Sequence, residues 1–356
     1  MSQVANTYNI DIFSEENIRK QVLPKYDLTD ARIVNIKFKD TDKQRAVYKV
    51  DKNNNSFCLK KVYFNENELL FVYSSIEWLY RNDIHVPRIL PNNSKGRFVN
   101  YNDMLFILTP WIEGDKCDYD NKIHLKKVCE TLAIIHNKCN NFVPIKNSAN
   151  RIGYKDLYAE VSKHFDNILV TSNLAFKHKD RFSKIYLDNF DFAVDLATSS
   201  CKMLTTLNLD NLSISLCHND YVNKNIIIDK QNEVWLIDFD KCRMDFSIHD
   251  FAYFLRRLMK REETNWDFKI AVQCFNYYNS YRKINLEDYK FLYGYLIFPQ
   301  RYWKISRDYY RNIYKCNKSA FIGILEKSTR HFKEQIEFSI LFKNYIENTF
   351  KTNLDL

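Results

Sequence analysis

His218, Asp220, Asn225 and Asp238 are the residues of this chain whose types and spacing could do chemistry together. Asp220 and Asn225 are five positions apart, and Asn225 and Asp238 thirteen. Phosphoryl transfer from a metal-bound nucleotide needs a carboxylate beside the attacking hydroxyl, and a carboxamide and a second carboxylate on the metal. On this pattern Asp220 orients a hydroxyl nucleophile and accepts its proton. Asn225 and Asp238 hold Mg2+ against the phosphates of ATP or GTP, and His218 completes the candidate catalytic set. Any one of these residues alone reads as a turn cap or a strand end. The joint spacing is what points to a kinase-like catalytic loop.

The intervening sequence predicts how these side chains are positioned. Ile226-Ile227-Ile228 is a short β-branched run, Asp229-Lys230-Gln231-Asn232 a polar turn, and Val234-Trp235-Leu236-Ile237 a second apolar run. Such a pattern predicts a hairpin of buried strands, with Asn225 entering it and Asp238 leaving it. Further upstream, Ile33 to Phe38, Ala46 to Val50 and Phe57 to Val62 alternate apolar and polar residues between polar turns, which predicts a three-stranded antiparallel meander. Lys60 falls on the third strand, where an ammonium group can pair nucleotide phosphates, and alternation sends Lys61 to the other face. A helix expected from Asn65 to Arg81 offers Glu66, Glu68 and Glu77 as partners for Lys60, with Glu66 the expected one. Acidic residues in a first helical turn are also favoured by the helix dipole alone.

Composition excludes several classes. With 356 residues and 46% hydrophobic content the chain can bury one large core or two lobes, rich in its 26 Phe and 24 Tyr. Only five glycines are present, and none lies in the expected turn from Lys39 to Arg45, so a glycine-rich phosphate loop or dinucleotide fingerprint is excluded. The net charge of +9 is dispersed and comes without zinc-finger or RNA-recognition motifs, so no nucleic-acid partner is expected. Nine cysteines, an odd number without a Cys-x-x-Cys pair, read as free thiols in a reducing compartment with no structural zinc. Without a signal-peptide pattern or an apolar stretch of membrane-spanning length, the expectation is cytoplasmic synthesis and no membrane partner.

Residues 1–27 read as an amphipathic helix with Ile10, Ile12, Phe13, Ile18 and Val22 on its apolar face. Arg88 to Leu90, Val99 and Met104 to Leu108 supply two or three more strands, and Trp111 to Gly114 begins a connector. Beyond it the pattern is helical from Ile123 to Asn137, from Tyr154 to about Leu209, and from His249 onward, apart from the hairpin. The expected class is α+β, a bilobal protein-kinase-like fold with a small β-rich N-terminal lobe (1–110) and a larger, mainly helical C-terminal lobe carrying the hairpin (111–356).

Cys217-His218-Asn219-Asp220 through Asn225, with Val234 through Asp240, resembles the aminoglycoside phosphotransferase and choline kinase superfamily, whose usual form is H-G-D-x-x-x-x-N followed by I-D-[FW]. Trp111-Ile112-Glu113-Gly114 resembles the hinge, and Glu113 joins Lys60 and Glu66 among the expected nucleotide contacts. Leu132 to His136 resembles the helix after the hinge. The resemblance implies that Asp250, in Ile248-His249-Asp250-Phe251-Ala252, buttresses the catalytic loop. Closer still is the CotS-type spore coat family of endospore-forming bacteria, which Cys58 to Lys61, Val86 to Leu90, Leu216 to Tyr221 and Phe298 to Trp303 resemble. That likeness implies assembly into the spore coat beside other coat proteins. Asn219 departs from the phosphotransferase H-G-D pattern where glycine is usual, and Asp240 stands where protein kinases place glycine. Asp240 reads as a structural acid paired with Lys241 or Arg243, or as a third carboxylate near the metal.

Two readings remain open on the sequence. One is an ATP- or GTP-dependent phosphotransferase acting on a hydroxyl of a small molecule or coat component, of the choline, sugar or aminoglycoside kinase type. The other is a catalytically silent coat module whose aromatic, basic segment around Tyr302, Trp303, Tyr309 and Tyr310 is a contact surface. In the enzyme those aromatics would line a pocket, even for a quaternary ammonium group. The spacing of Tyr302, Ile305, Tyr309 and Ile313 also fits simple helix packing.

Overall fold

The structure, a computed structural model, describes residues 12–39 and 45–354. Most of the expected turn between the first two strands, and Ile10 with the beginning of the expected N-terminal helix, lie outside the described residues. The chain divides into two compact units. The first comprises the chain up to Asp118, Lys138–Ile152 and Asn223–Arg243; the second comprises Tyr119–Asn137, Gly153–Val222 and the remainder from Met244.

In the first unit the apolar alternation forms the predicted meander. Strands β1 (Arg32–Lys39), β2 (Arg45–Lys52) and β3 (Asn55–Lys61) pair antiparallel, and the sheet continues through β5 (Met104–Pro110) to β4 (Val99–Tyr101). Ala46, Tyr48, Val50 and Leu59 face a core with Ile18, Val22 and Leu23. A short helix α1 (Glu15–Gln21), capped by Ser14, and a single 3-10 turn bring those last three residues over the sheet. Alternation then fixes Lys60 on the opposite face from Leu59, directly across β5 from Ile107. Arg88 to Leu90 is not a strand: Pro87 and Pro91 flank it, so it attaches irregularly, through Leu90 N donating to Leu108 O at 2.8 Å. Helix α2 (Glu66–Arg81) starts in a capping box between Asn65 and Glu68.

The connector contributes a strand that the sequence did not announce. Here β6 (Asp115–Lys116) pairs antiparallel with β8 (Ile226–Ile228), which pairs with β9 (Val234–Leu236). The hairpin therefore groups with the β-rich unit, not with the C-terminal lobe where the division at residue 110 had placed it. Its strands are held by β6 and by Leu236 N donating to His85 O at 3.0 Å. The Asp229 carboxylate closes its turn, accepting from Gln231 N, Glu233 N and Trp235 Nε1 at 2.8–2.9 Å. Gly114 is required where connector and hairpin meet. Its φ is +154°, and a Cβ there would lie 2.4 Å from the Ile228 carbonyl oxygen. Gly114→Ala should lower the free energy of urea unfolding by about 2 kcal/mol or more, because backbone cannot yield as a side chain would.

The second unit is helical. It contains α3 (Lys122–Lys138) up to Asn137, α4 (Leu157–His178), α5 (Arg181–Asp188), α6 (Phe190–Thr205), α7 (Ser247–Met259), α8 (Phe268–Asn279), α9 (Leu286–Ile297), α10 (Gln300–Arg311), α11 (Lys318–Thr329) and α12 (Phe332–Phe350). Strands β7 (Ile214–Cys217) and β10 (Arg243–Phe246) form a two-stranded sheet that leads into α7. Every residue of α9 from Glu287 to Ile297 is buried, which makes it the central helix of this unit. Tyr302, Trp303, Ile305, Tyr309 and Ile313 are buried too, with Tyr302 stacked on Tyr186 and Tyr309 on Phe182. Their helical spacing is core packing, and they do not form the exposed contact surface allowed for above. All nine cysteines are free thiols. Among the described residues no helix is long and apolar enough to cross a membrane.

Candidate active site

In the first unit, β3 and the end of the hairpin bring three ionic groups together. The Lys60 ammonium lies 2.6 Å from Asp238 Oδ1 and 2.6 Å from Asp240 Oδ1. Burial alone would lower the Lys60 pKa, but the charges of Asp240 and Asp238 outweigh it and hold the group protonated well above the ordinary lysine range. Asp240 is buried by its neighbours, with Arg45 Nη1 3.8 Å from its Oδ2 and Arg151 Nη2 donating to its backbone oxygen at 2.5 Å. Asp238 stands at φ +66°, ψ +62°, a left-handed conformation that aspartate tolerates better than most residues. Asn225, at the end of a 3-10 turn, is buried, and its carbonyl accepts from Ile237 N at 3.0 Å. That bond closes the hairpin so that Asn225 and Asp238 emerge from its same end.

These groups fit a divalent cation. The donors are a carboxamide and carboxylates without sulfur or imidazole, a hard set suited to Mg2+ or Ca2+. The buried Asp240 Oδ2 also has no hydrogen-bond partner, which leaves it able to accept from or ligate a further group.

The structure places the remaining expected contacts elsewhere. Glu66 is exposed in the first turn of α2, Glu68 is spent in the capping box, and Glu77 is paired bidentately with Arg88 at 2.7–2.9 Å. Asp238 and Asp240 therefore replace Glu66 as the Lys60 counter-charges. The physical reason is proximity: the hairpin end delivers two carboxylates to the face of β3 that Lys60 occupies. Asp240 is salt-bridged as anticipated, but to Lys60 and Arg45, where Lys241 or Arg243 had been expected. Glu113 is largely exposed on the connector and lies 3.6 Å from Lys49 Nζ, which sits over the Trp111 ring.

In the second unit, β7 ends at Cys217 and the chain turns sharply through His218 and Asn219. Asp250, at the start of α7, holds that turn: its two carboxylate oxygens accept from His218 N at 2.6 Å and Asn219 N at 2.7 Å. Burial would raise the Asp250 pKa, but the neighbouring His136, His218 and the backbone bond together keep it below the usual carboxylate value. The His218 ring is buried and its Nδ1 accepts from Asp220 N at 3.2 Å, a bond that braces the loop. Asp220 is buried, and Tyr253 OH donates to its Oδ1 at 3.3 Å. Asn219 has φ +56°, so the position usually filled by glycine is left-handed here too, and asparagine is the substitute that costs least. Asn219→Gly should leave the unfolding midpoint nearly unchanged, whereas Asn219→Val should cost about 1–2 kcal/mol by urea titration.

A family model described as "Spore coat putative kinase YutH" matches residues 32–340. The chain belongs to this spore coat family. Its fold is that of the aminoglycoside phosphotransferases. An aminoglycoside phosphotransferase from Alicyclobacillus acidocaldarius is 19% identical, with 92% of this chain and 96% of that chain covered and a TM-score of 0.74. Spectinomycin phosphotransferase APH(9)-Ia, solved with ADP and spectinomycin, is 16% identical over 92% and 96% of the two chains, with a TM-score of 0.62. The amicoumacin kinase hAmiN, solved with AMP-PNP and Ca2+, is 13% identical over 94% and 96%, with a TM-score of 0.61.

Arg45, Arg151 and Tyr253 were not singled out from the sequence of this family member, although they contact Asp240 and Asp220. Arg45 and Arg151 lie at element edges in no motif. Tyr253 had a weak signal, three residues after Asp250 on the same helix face.

Proposed function

We propose that this spore coat protein is a metal-dependent phosphotransferase that moves the γ-phosphoryl group of ATP or GTP to a hydroxyl acceptor within the coat or its precursor. The observation that carries the reading is the Lys60 ammonium held between Asp238 and Asp240 on the first unit. An ammonium suited to phosphate and two carboxylates suited to a cation are thereby preassembled between β3 and the turn that follows β9. Asn225 and Asp238 hold the Mg2+, with Asp240 beside them. When bound, the ion neutralises charge on the phosphate oxygens.

The other tasks fall to the chain itself. Lys60 pairs the nucleotide phosphates while Asp240 keeps its side chain extended along the strand face. Glu113 and Trp111, on the connector, would face the nucleotide. Asp220 orients the acceptor hydroxyl and takes its proton, with Tyr253 fixing one carboxylate oxygen so that the other faces the acceptor. Asp250 and His218 hold the backbone that presents Asp220. The bound nucleotides in APH(9)-Ia and hAmiN support the same use of the fold.

Thermal unfolding with Mg·ATP or Mg·GTP tests the reading, since a ligand that binds only the folded state must raise the melting temperature. The wild type should be stabilised, and Asp238→Ala should lose that shift. If neither nucleotide moves the wild-type transition, the protein is a silent coat module.

A further inference from the structure

One surface of the second unit carries an unusual concentration of cations. A cavity of about 500 Å³ opens between the C-terminal half of α7, the start of α10 and the junction of α11 with α12. Arg256, Arg257, Lys260, Arg301, Lys304 and Lys327 line it, and no Asp or Glu does. None of these six makes an ion pair among the described residues; Glu262, at the same junction, is committed to Arg330 at 2.6 Å and to His331 at 3.5 Å. Glu160 offsets Arg256 in part, but like charges gathered this closely still repel one another, and an anionic ligand relieves that cost. Lys260 registers it: lost hydration, then the charges of Arg257, Arg301 and Arg256, push its amine down to about 8.

The cavity is wired to the catalytic loop. Arg257 Nη2 donates to Tyr253 Oη at 2.9 Å, and Tyr253 OH donates to Asp220 Oδ1 at 3.3 Å. Arg256, whose guanidinium lies 3.8 Å over the Tyr295 ring and donates to its hydroxyl, is held rigidly in the wall. Through Arg257 and Tyr253 the wall of the cavity is two hydrogen bonds away from the Asp220 carboxylate. The volume suits a small organic molecule.

We propose that this cavity is the acceptor site, and that the acceptor is a small phosphate monoester bearing a free hydroxyl. This rests on the phosphotransferase reading and gives it a substrate class. The phosphate of the acceptor sits on Lys260, Arg301, Lys304 and Arg257. Its hydroxyl oxygen attacks the γ-phosphorus, the bond from that phosphorus to the β-bridging oxygen breaks, and the hydroxyl proton passes to Asp220. The products are a bisphosphate and a nucleoside diphosphate. The same cations oppose choline-like or aminoglycoside acceptors, so the quaternary ammonium pocket considered from the aromatic residues is not what these side chains build.

Calorimetric titration with matched pairs tests the inference: glucose 6-phosphate against glucose, glycerol 3-phosphate against glycerol, with choline and inorganic phosphate alongside. At low salt each phosphate ester should bind at least about tenfold tighter than its neutral partner, and choline should not bind. Lys260→Glu/Arg301→Glu, both at exposed positions, should lose that preference while the Mg·ATP stabilisation set by Lys60 and Asp238 is retained. Equal binding of neutral sugars, tighter binding of choline, or unchanged ester affinity in the charge-reversed variant would each overturn the proposal. So would inorganic phosphate matching the esters, which marks a bare anion site. If Mg·ATP stabilises the protein and no ester binds, this inference fails and the phosphotransferase reading stands. If esters bind and no nucleotide does, both the reading and the acceptor role fall.

Discussion

Replacing Asp250 with alanine is expected to lower the stability of the protein by about 3–5 kcal/mol, the range found when one partner of a buried charged network is removed. The carboxylate is buried and accepts from two consecutive backbone N–H groups, on His218 and Asn219, at 2.6 and 2.7 Å. Alanine leaves both donors without their acceptor in a dry environment, and each such loss is costly. The turn they hold is already left-handed at Asn219, so it has little reason to persist without them. Asp250→Asn, which keeps one acceptor oxygen, should lose about half as much.

The pH dependence gives an independent check. The Asp250 carboxyl is held below its ordinary pKa of 3.8 in the folded state, so its contribution is present above that value and is lost as pH falls through the folded value. The acid limb of the stability curve should therefore flatten in Asp250→Asn. Urea titrations from pH 7 down to about pH 3 measure both effects. Wild-type-like stability in Asp250→Ala would mean that Asp250 does not buttress the loop.

The second large effect is expected at Lys60. Lys60→Ala removes the cation between two carboxylates, one of them, Asp240, almost fully buried at 5% side-chain exposure. Stability should fall by about 2–4 kcal/mol, the lower part of the range reflecting the partial exposure of Asp238 and the nearby Arg45. A divalent cation should then restore more stability to the variant than it adds to the wild type, because in the variant it meets Asp238 and Asp240 without a competing ammonium. Thermal unfolding of both proteins with and without millimolar MgCl2 or CaCl2 reads this directly. A variant that is destabilised and indifferent to both ions would speak against a cation site at Asp238.

The two effects differ in what they report. Asp250 holds the loop that carries Asp220, so its loss would bear on the proposed catalysis through position. Lys60 touches the groups that would hold nucleotide and metal, so its loss bears on ligand binding itself.

Much of this organisation is local and therefore legible in the chain. Strand alternation in Ala46, Tyr48 and Val50 and in Leu59 against Lys60 depends only on the two-residue period of a strand, so the meander and the face of Lys60 follow from the sequence. The spacing from Asp220 through Asn225 to Asp238 likewise encloses one hairpin, and a short hairpin has few ways to fold. Family membership follows from the same motifs, because they occur in order over most of the chain.

What the chain by itself did not determine is every pairing between distant segments. Spacing alone offered Glu66, Glu68 and Glu77 as counter-charges for Lys60; packing of the hairpin against β6 and the His85 segment brings Asp238 and Asp240 instead. Proline on either side of Arg88 to Leu90 turned an apolar run into an irregular edge. The cation-lined cavity draws on three segments spread from Arg256 to Gln335, and dispersed lysines and arginines carry no signal until helices α7, α10, α11 and α12 gather them. Local periodicity sets which way a side chain points, but charge complementarity acts through space, so only the tertiary structure could say which charges meet.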